Sequence, residues 1–455
     1  MSLKLKRVLL ALAVVGAAGS AFAFSLLGPY DAVYQTPALG YNPLGTDIGG
    51  PMTTGQGYRW NTTTVTYGFD QTFTSYFSAQ GVAAVQQAIA ILNGLPAASS
   101  MSASLTEYPL RTKRTNYRAS ALRLIDVKSV TLALLLEEMG LTSPERYVWT
   151  LRSRLVVNNN TRTNYTVIMR NFDPVSTSLR SKYVNGTLYT FTAGDIPLAG
   201  SFYSDAVESP VDPLAFSYTA VVSAADGLDG GGLNFGEFFT GLTRDDVGGL
   251  RYLYSAGLIN TENLIPGTTL VDNSGANCPW CIPGATNVLA TNAVVDLAKR
   301  PGVNKVTFVP GLYDSLLGVI ITTNTDTYVT NLTFATQTVQ RTAIVPDILF
   351  ASGDIGLNTG GIPVAIARTG TTGWDNNAAV NSTVATAGPG VILPTVQITF
   401  SSMATFYFGF TTPEYLDQAS AAVGYVWGSF DGTTNAPVVY GISLQELQQM
   451  VLSSF

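Results

Sequence analysis

The segment Asp126–Arg146, DVKSVTLALLLEEMGLTSPER, is the most apolar stretch away from the N-terminus. Val130, Leu132, Ala133, Leu134, Leu135 and Leu136 leave no polar face, and a helix that is apolar all round is buried all round. A central helix is therefore expected here. Gly140 supplies a residue able to take positive φ just past the last turn, and Ser143-Pro144 reads as the N-cap and first-turn proline of a second helix beginning at Glu145.

Outward from that helix, Thr64–Phe69 reads as a short strand. Ser78 is a candidate N-cap, with Val82, Val85, Ile89 and Leu92 at helical spacing behind it and Asn93-Gly94 closing the helix. Farther along, FTGLTRDDVGGLRYLY (Phe239–Tyr254) carries a capping box of Thr243 and Asp246. Leu242 and Val247 form its hydrophobic staple, and Val247, Leu250 and Tyr254 its buried stripe.

These three segments, in this order, resemble the first strand and helix, the active-site helix and the closing helix of metzincin zinc peptidases of the matrixin type. The resemblance covers at most residues 58–255. It places Ala133, Glu137 and Ser143 where the family carries zinc-binding histidines, and Leu134 where the catalytic Glu belongs. The glycine turn and the apolar pattern survive while the chemical positions do not. A metzincin-like scaffold without zinc or catalysis is what the resemblance implies, with the long interval between its second and third segments read as an insertion.

Composition points the same way. None of the 455 residues is His, which removes imidazole zinc sites, Ser-His-Asp and Cys-His nucleophile systems, and histidine proton shuttles. No GxSxG, Walker A or GxGxxG motif occurs. Charged residues make up 12% and the net charge is −6, so the surface is neutral and hydrogen-bonding, with no basic field for nucleic acid. Arg111, Lys113, Arg114, Arg118 and Arg123 are the concentrated basic run. They read either as an anion or sulfated-polysaccharide site or, the favoured reading, as a solvated helix face paired with Asp126, Glu137 and Glu138.

Lys4, Lys6 and Arg7 precede an apolar run from Val8 to Val15, and Ala21-Phe22-Ala23 has the small-x-small form of a signal-peptidase site. Residues 1–23 are thus expected to be a cleaved signal peptide, giving a secreted, periplasmic or cell-surface protein with no membrane span in the mature chain. Residues 24–57 read as an irregular arm. Between the central and closing helices the character turns to β, over Leu155–Arg170 and Tyr183–Thr192, with Asn185-Gly186 as a hairpin turn. Residues 256–455 are mostly short strands separated by turn residues. The expected architecture is an α+β domain (58–255) with a β-rich insertion, then an all-β sandwich- or barrel-like domain (256–455).

Two further motifs carry chemistry. Asp226, Asp229, Asn234 and Glu237 stand on the Gly-rich loop DGLDGGGLNFGE, whose oxygens would suit Ca²⁺, although the spacing matches no EF-hand and a plain loop is favoured. Cys278-Pro279-Trp280-Cys281 has the spacing of a redox pair. Its loop surroundings, Asn273-Ser274-Gly275 and Pro283-Gly284, lack the helix N-terminus such chemistry needs, so a local disulfide of Cys278 and Cys281 is expected. The reading that results is a non-catalytic bacterial envelope or surface protein, binding or structural, with no cofactor unless the loop takes calcium. Glycans or envelope proteins would be its partners. The alternative is a secreted polysaccharide hydrolase working with two carboxylates about 5 to 9.5 Å apart.

Overall fold

The computed structural model of the chain describes residues 22–27, 58–157, 162–198, 201–225, 232–271, 294–331, 333–353, 366–367, 373–375, 391–401, 426–445 and 447–448. Among the described residues strands outweigh helices, at 38% against 21%, so the structure is β-rich. In chain order the elements that position the site are β1 (Thr64–Phe69), α1 (Gln71–Asn93), α2 (Val127–Glu138), α3 (Arg244–Tyr254), β2 (Thr307–Pro310), β3 (Val319–Thr330), β4 (Thr333–Ala343), β5 (Ile348–Gly353) and β6 (Val396–Ser401).

The central helix forms as its composition dictates. Asp126 caps α2 by accepting the amide of Ser129 at 3.0 Å, and Leu132, Ala133, Leu135 and Leu136 are fully buried, with Leu134 at 1% exposure. Each such leucine contributes about 1.5–3 kcal/mol of apolar burial. Gly140 ends the helix at φ +101°, and a Cβ there would collide with the carbonyl oxygen of Tyr58. No helix follows at Glu145. Residues 144–149 form turns instead, because the Glu145 carboxylate is drawn inward to accept the amides of Thr219 at 2.7 Å and Ala220 at 3.0 Å. The hydroxyl of Ser143 still caps that turn, accepting from the amide of Arg146 at 3.2 Å.

Helix α1 begins seven residues before Ser78. Asp70 is its N-cap, accepting from the amide of Phe73 at 2.8 Å. Ser78 breaks the helical conformation partway along, at φ 57°, and its hydroxyl accepts from the amide of Gln80, so it caps the second half of a kinked element. Phe73 and Phe77 turn into an aromatic cluster with Phe350, Phe400 and Trp427, all fully buried, at centroid separations of 4.7–6.3 Å. Offset and edge-on ring pairs of this kind add to the apolar burial. At α3 both halves of the capping box form between Thr243 and Asp246, and Leu242, Val247, Leu250, Leu253 and Tyr254 are buried.

The main sheet crosses the boundary expected near Ser255. Its order is β2-β1-β5-β6 followed by Ile366–Ala367 at the edge, parallel except for that last strand. Thr64 stands opposite Thr307, and Tyr67 opposite Ile348. A strand from the first third of the chain therefore lies between strands from the last third, and α1 packs on their common face. The remainder of the second stretch, among the described residues, is β-rich. Its long hairpin, β3 with β4, is the centre of a six-stranded sheet that includes Asn260–Glu262, Thr268–Leu270, Tyr313–Asp314 and Ala298–Arg300. The β character expected between α2 and α3 is present as hairpins over Thr150–Ile168 and Tyr183–Pro210. One of them turns at Asn185 (φ 44°) and Gly186 (φ 87°).

Candidate functional site

The residues aligned with the peptidase motif are inside the core. Ala133 is fully buried, and Leu134, Glu137 and Ser143 are each 1% exposed. The Ser143 hydroxyl donates to that of Ser223 at 2.9 Å, and Ser223 in turn donates to Glu145. This is a structural polar network. It is extended by Asp246, whose carboxylate accepts the amides of Val221 and Val222 at 3.1 Å and that of Thr243 at 2.9 Å. The carboxylates of Glu145 and Asp246 hold the 219–222 backbone by accepting its amides.

The other expected site residues are dispersed. Asp226 and Asp229 lie outside the described residues, as do Cys278 and Cys281. Asn234 gives both its backbone and side-chain N–H to Glu237, at 2.9 and 3.1 Å, and the same Glu237 oxygen is 3.2 Å from the Lys113 ammonium. Among the described residues no group of three His, Cys, Asp or Glu side chains converges as a metal site. The basic run is not one helix face. Lys113–Thr115 is a strand paired with Glu237–Phe239, which brings Lys113 to Glu237, and Arg118 sits on the separate short helix Tyr117–Ala121. Arg111, Lys113 and Arg114 meet Lys128 along a groove of about 800 Å³ whose far wall carries Asp431.

The best-formed cavity lies elsewhere, where the β3–β4 hairpin leans on the start of β1. It measures about 300 Å³ and is mostly apolar, with Leu264, Ile265, Val303 and Val339 on its walls and Phe334 at its edge. That size is at the lower end of small-molecule sites, about 300–1,000 Å³. Its polar lining comes from Asn61, Thr62, Thr63, Asn324, Asp326 and the two arginines Arg300 and Arg341.

Three buried ion pairs hold this region together. Arg59 is fully buried and uses four of its five N–H donors. Its Nε reaches Glu262 at 2.9 Å, Nη1 reaches the carbonyls of Leu253 and Leu258 at 2.9 Å, and Nη2 that of Arg300 at 3.0 Å. Arg300 pairs with Asp326, which also accepts from the Gln337 amide at 3.2 Å. Arg341 pairs with Asp347. Burial pushes the carboxyls of Glu262 and Asp326 above the ordinary range, opposed by Arg59 at the first and Arg300 at the second. Burial likewise lowers Arg341 to about 10, which leaves it charged at neutral pH.

Two side-chain atoms of residues that line the cleft, Nη1 of Arg341 and Oδ1 of Asn61, are enclosed by protein and have no hydrogen-bond partner among the described residues. Both side chains are buried, at 4% and 7% exposure. The Asn61 orientation follows from its Nδ2, which donates to the carbonyl of Asn263 at 2.5 Å. Sequence reasoning misses this site entirely. Asn61, Asp326 and Arg341 are ordinary polar residues of strands and turns, and only the fold of the hairpin onto β1 assembles them.

Comparison with family models, with curated proteins and with solved structures finds no match for this chain.

Proposed function

We propose that the protein is an exported, non-catalytic binding protein of the bacterial envelope or cell surface, built on a scaffold related to that of matrixin-type peptidases. Its ligand site on this reading is the cleft between the β3–β4 hairpin and β1. The observation that carries the reading is the burial of the motif positions. Ala133 and Leu134 offer no donor atom, and Ser143 is committed to Ser223, so the motif positions present no open face to water or substrate. The basic, apolar, small-residue pattern before Phe24 supports export, and the weakly charged, Thr- and Asn-rich surface suits neutral partners such as glycans.

Polysaccharide hydrolysis finds less support. Among the described residues Asp326 is the single carboxylate lining the cleft, and it is tied to Arg300, whereas that chemistry needs two acids facing one bond. The experiment is to purify the secreted protein without chelator, measure bound zinc, and assay peptide cleavage with and without added Zn²⁺. No cleavage under either condition is expected. Stoichiometric zinc together with peptide hydrolysis would overturn the reading.

A further inference from the structure

Folding gathers cations that the sequence spreads over several elements. Lys113–Thr115 pairs antiparallel with Glu237–Phe239, which sets Arg114 directly opposite Phe238. The ammonium of Lys128, in the first turn of α2, lies 5.6 Å from the centroid of that same buried ring. Arg111 is held over the ring of Phe216, 3.2 Å from its centroid, a contact that orders the guanidinium without neutralising it.

Lys113 differs from these three, because Glu237 at 3.2 Å matches its charge. Arg111, Arg114 and Lys128 form no ion pair with a carboxylate among the described residues. Glu137 and Glu138, the partners suggested by the sequence, are each 1% exposed and line no part of the groove. All three cations line the groove of about 800 Å³, where Asp431 is the one acid among the described wall residues. That carboxylate accepts the amide of Thr433 at 2.8 Å within its own turn. Lys128 is also within electrostatic reach of the buried Asp126. The wall still carries more positive than negative charge, in a chain whose net charge is −6.

The rest of the lining selects among anions. Thr115, Thr240 and Thr433 bring hydroxyls, and Tyr117 is 84% exposed. An open aromatic ring beside hydroxyls and cations suits a sugar that bears acid groups, since the ring takes the C–H face of the sugar and the cations take its charges. A volume towards the upper end of about 300–1,000 Å³ fits a run of sugar units rather than a lone inorganic anion. Nucleic-acid binding draws on counterion release over many phosphates, and this net acidic chain offers little of it. A concave site also lacks the flat contact that a lipid surface needs.

We propose that this groove binds a segment of acidic polysaccharide, bearing uronate or sulfate groups, with Arg111, Arg114 and Lys128 meeting its charges and Tyr117 its ring face. The groove shares no lining residue with the cleft. It is a second site, and it stands whether or not the cleft takes a ligand.

The test is calorimetric titration of the full chain, at low ionic strength, with dextran sulfate, polygalacturonate oligomers and plain dextran. Phosphatidylglycerol vesicles and a single-stranded oligodeoxynucleotide serve as rival polyanions. At least one acidic glycan is expected to bind while dextran does not, and its affinity should fall as salt is raised. Arg114→Gln with Lys128→Gln should weaken that binding about tenfold, with the thermal midpoint unchanged. Tyr117→Ala should also weaken it but keep the salt dependence. Lys299→Gln, at an exposed cation outside the groove, should leave the affinity as it was. No binding of either acidic glycan, equal binding of dextran, the same loss in Lys299→Gln as in the groove variant, or tighter binding of the vesicles or the oligonucleotide would each overturn the proposal.

Discussion

Asp347 accepts two hydrogen bonds from Thr66 through a single oxygen, one from the amide at 2.7 Å and one from the hydroxyl at 2.8 Å, and its own amide donates back to that hydroxyl at 3.0 Å. The two residues are 281 positions apart in the chain. Their contact locks β1 against the entrance of β5 and holds the carboxylate that pairs with Arg341 in the cleft. Thr66→Val keeps the shape of the side chain but leaves a buried carboxylate short of one donor and the Asp347 amide without its acceptor. A loss of about 1–3 kcal/mol is expected in denaturant unfolding. A change within experimental error would mean that the Thr66 hydroxyl contributes nothing to the sheet.

The Arg59–Glu262 pair is fully buried on both sides. Glu262→Ala strands a guanidinium that still holds three backbone carbonyls, and the expected cost is about 3–5 kcal/mol. Replacing both partners together, Arg59→Met with Glu262→Leu, should cost less than the single change in the same unfolding experiment. Additive losses would show that the pair does not act as a unit.

Asp245 gives the fold an unusual pH dependence. It is 1% exposed, accepts from the amide of Asn185 at 2.6 Å, and has no partner for Oδ1 among the described residues. Burial raises its pKa well above the ordinary range. The amide of Asn185 opposes that rise, and the nearby Asp246 and Glu145 carboxylates add to it. The folded state therefore holds this proton to a higher pH than the unfolded state, where it leaves at about pH 4. Stability falls as pH rises from there through the folded value. Thermal midpoints of Asp245→Asn should exceed the parent at neutral pH and converge with it in mild acid. A parallel pair of curves would rule this out.

Gly140→Ala asks a residue with a Cβ to sit at φ +101° and to overlap the carbonyl of Tyr58. The strain of the left-handed backbone alone exceeds about 1 kcal/mol, and displacing Tyr58 brings the total to about 3 kcal/mol. Tyr58 immediately precedes Arg59, so amide exchange at residues 58–61 should quicken in this variant. Unchanged exchange there would show that the turn yields without disturbing its neighbour.

What the chain order made legible and what it hid divide along a physical line. The buried helix at 127–138, the positive φ of Gly140, the Thr243–Asp246 capping box and the Asn185-Gly186 hairpin all rest on interactions within one or two turns of backbone, and each is present. The start of α1 was readable only in part, because Asp70 and Ser78 both have capping chemistry and the structure uses both. The second helix at Glu145 is missing because burial of its carboxylate outweighs its local propensity.

The sequence by itself determined the lack of imidazole chemistry, the apolar all-round helix and the caps and turns, since these depend on residue identity and near neighbours. Only the tertiary structure decided that β1 lies between strands from beyond residue 300, and that Asn61, Asp326 and Arg341 share a cleft. Strand pairing over hundreds of positions is chosen by mutual burial and by the satisfaction of charges that meet only once the chain is folded. No local spacing in the sequence carries that information.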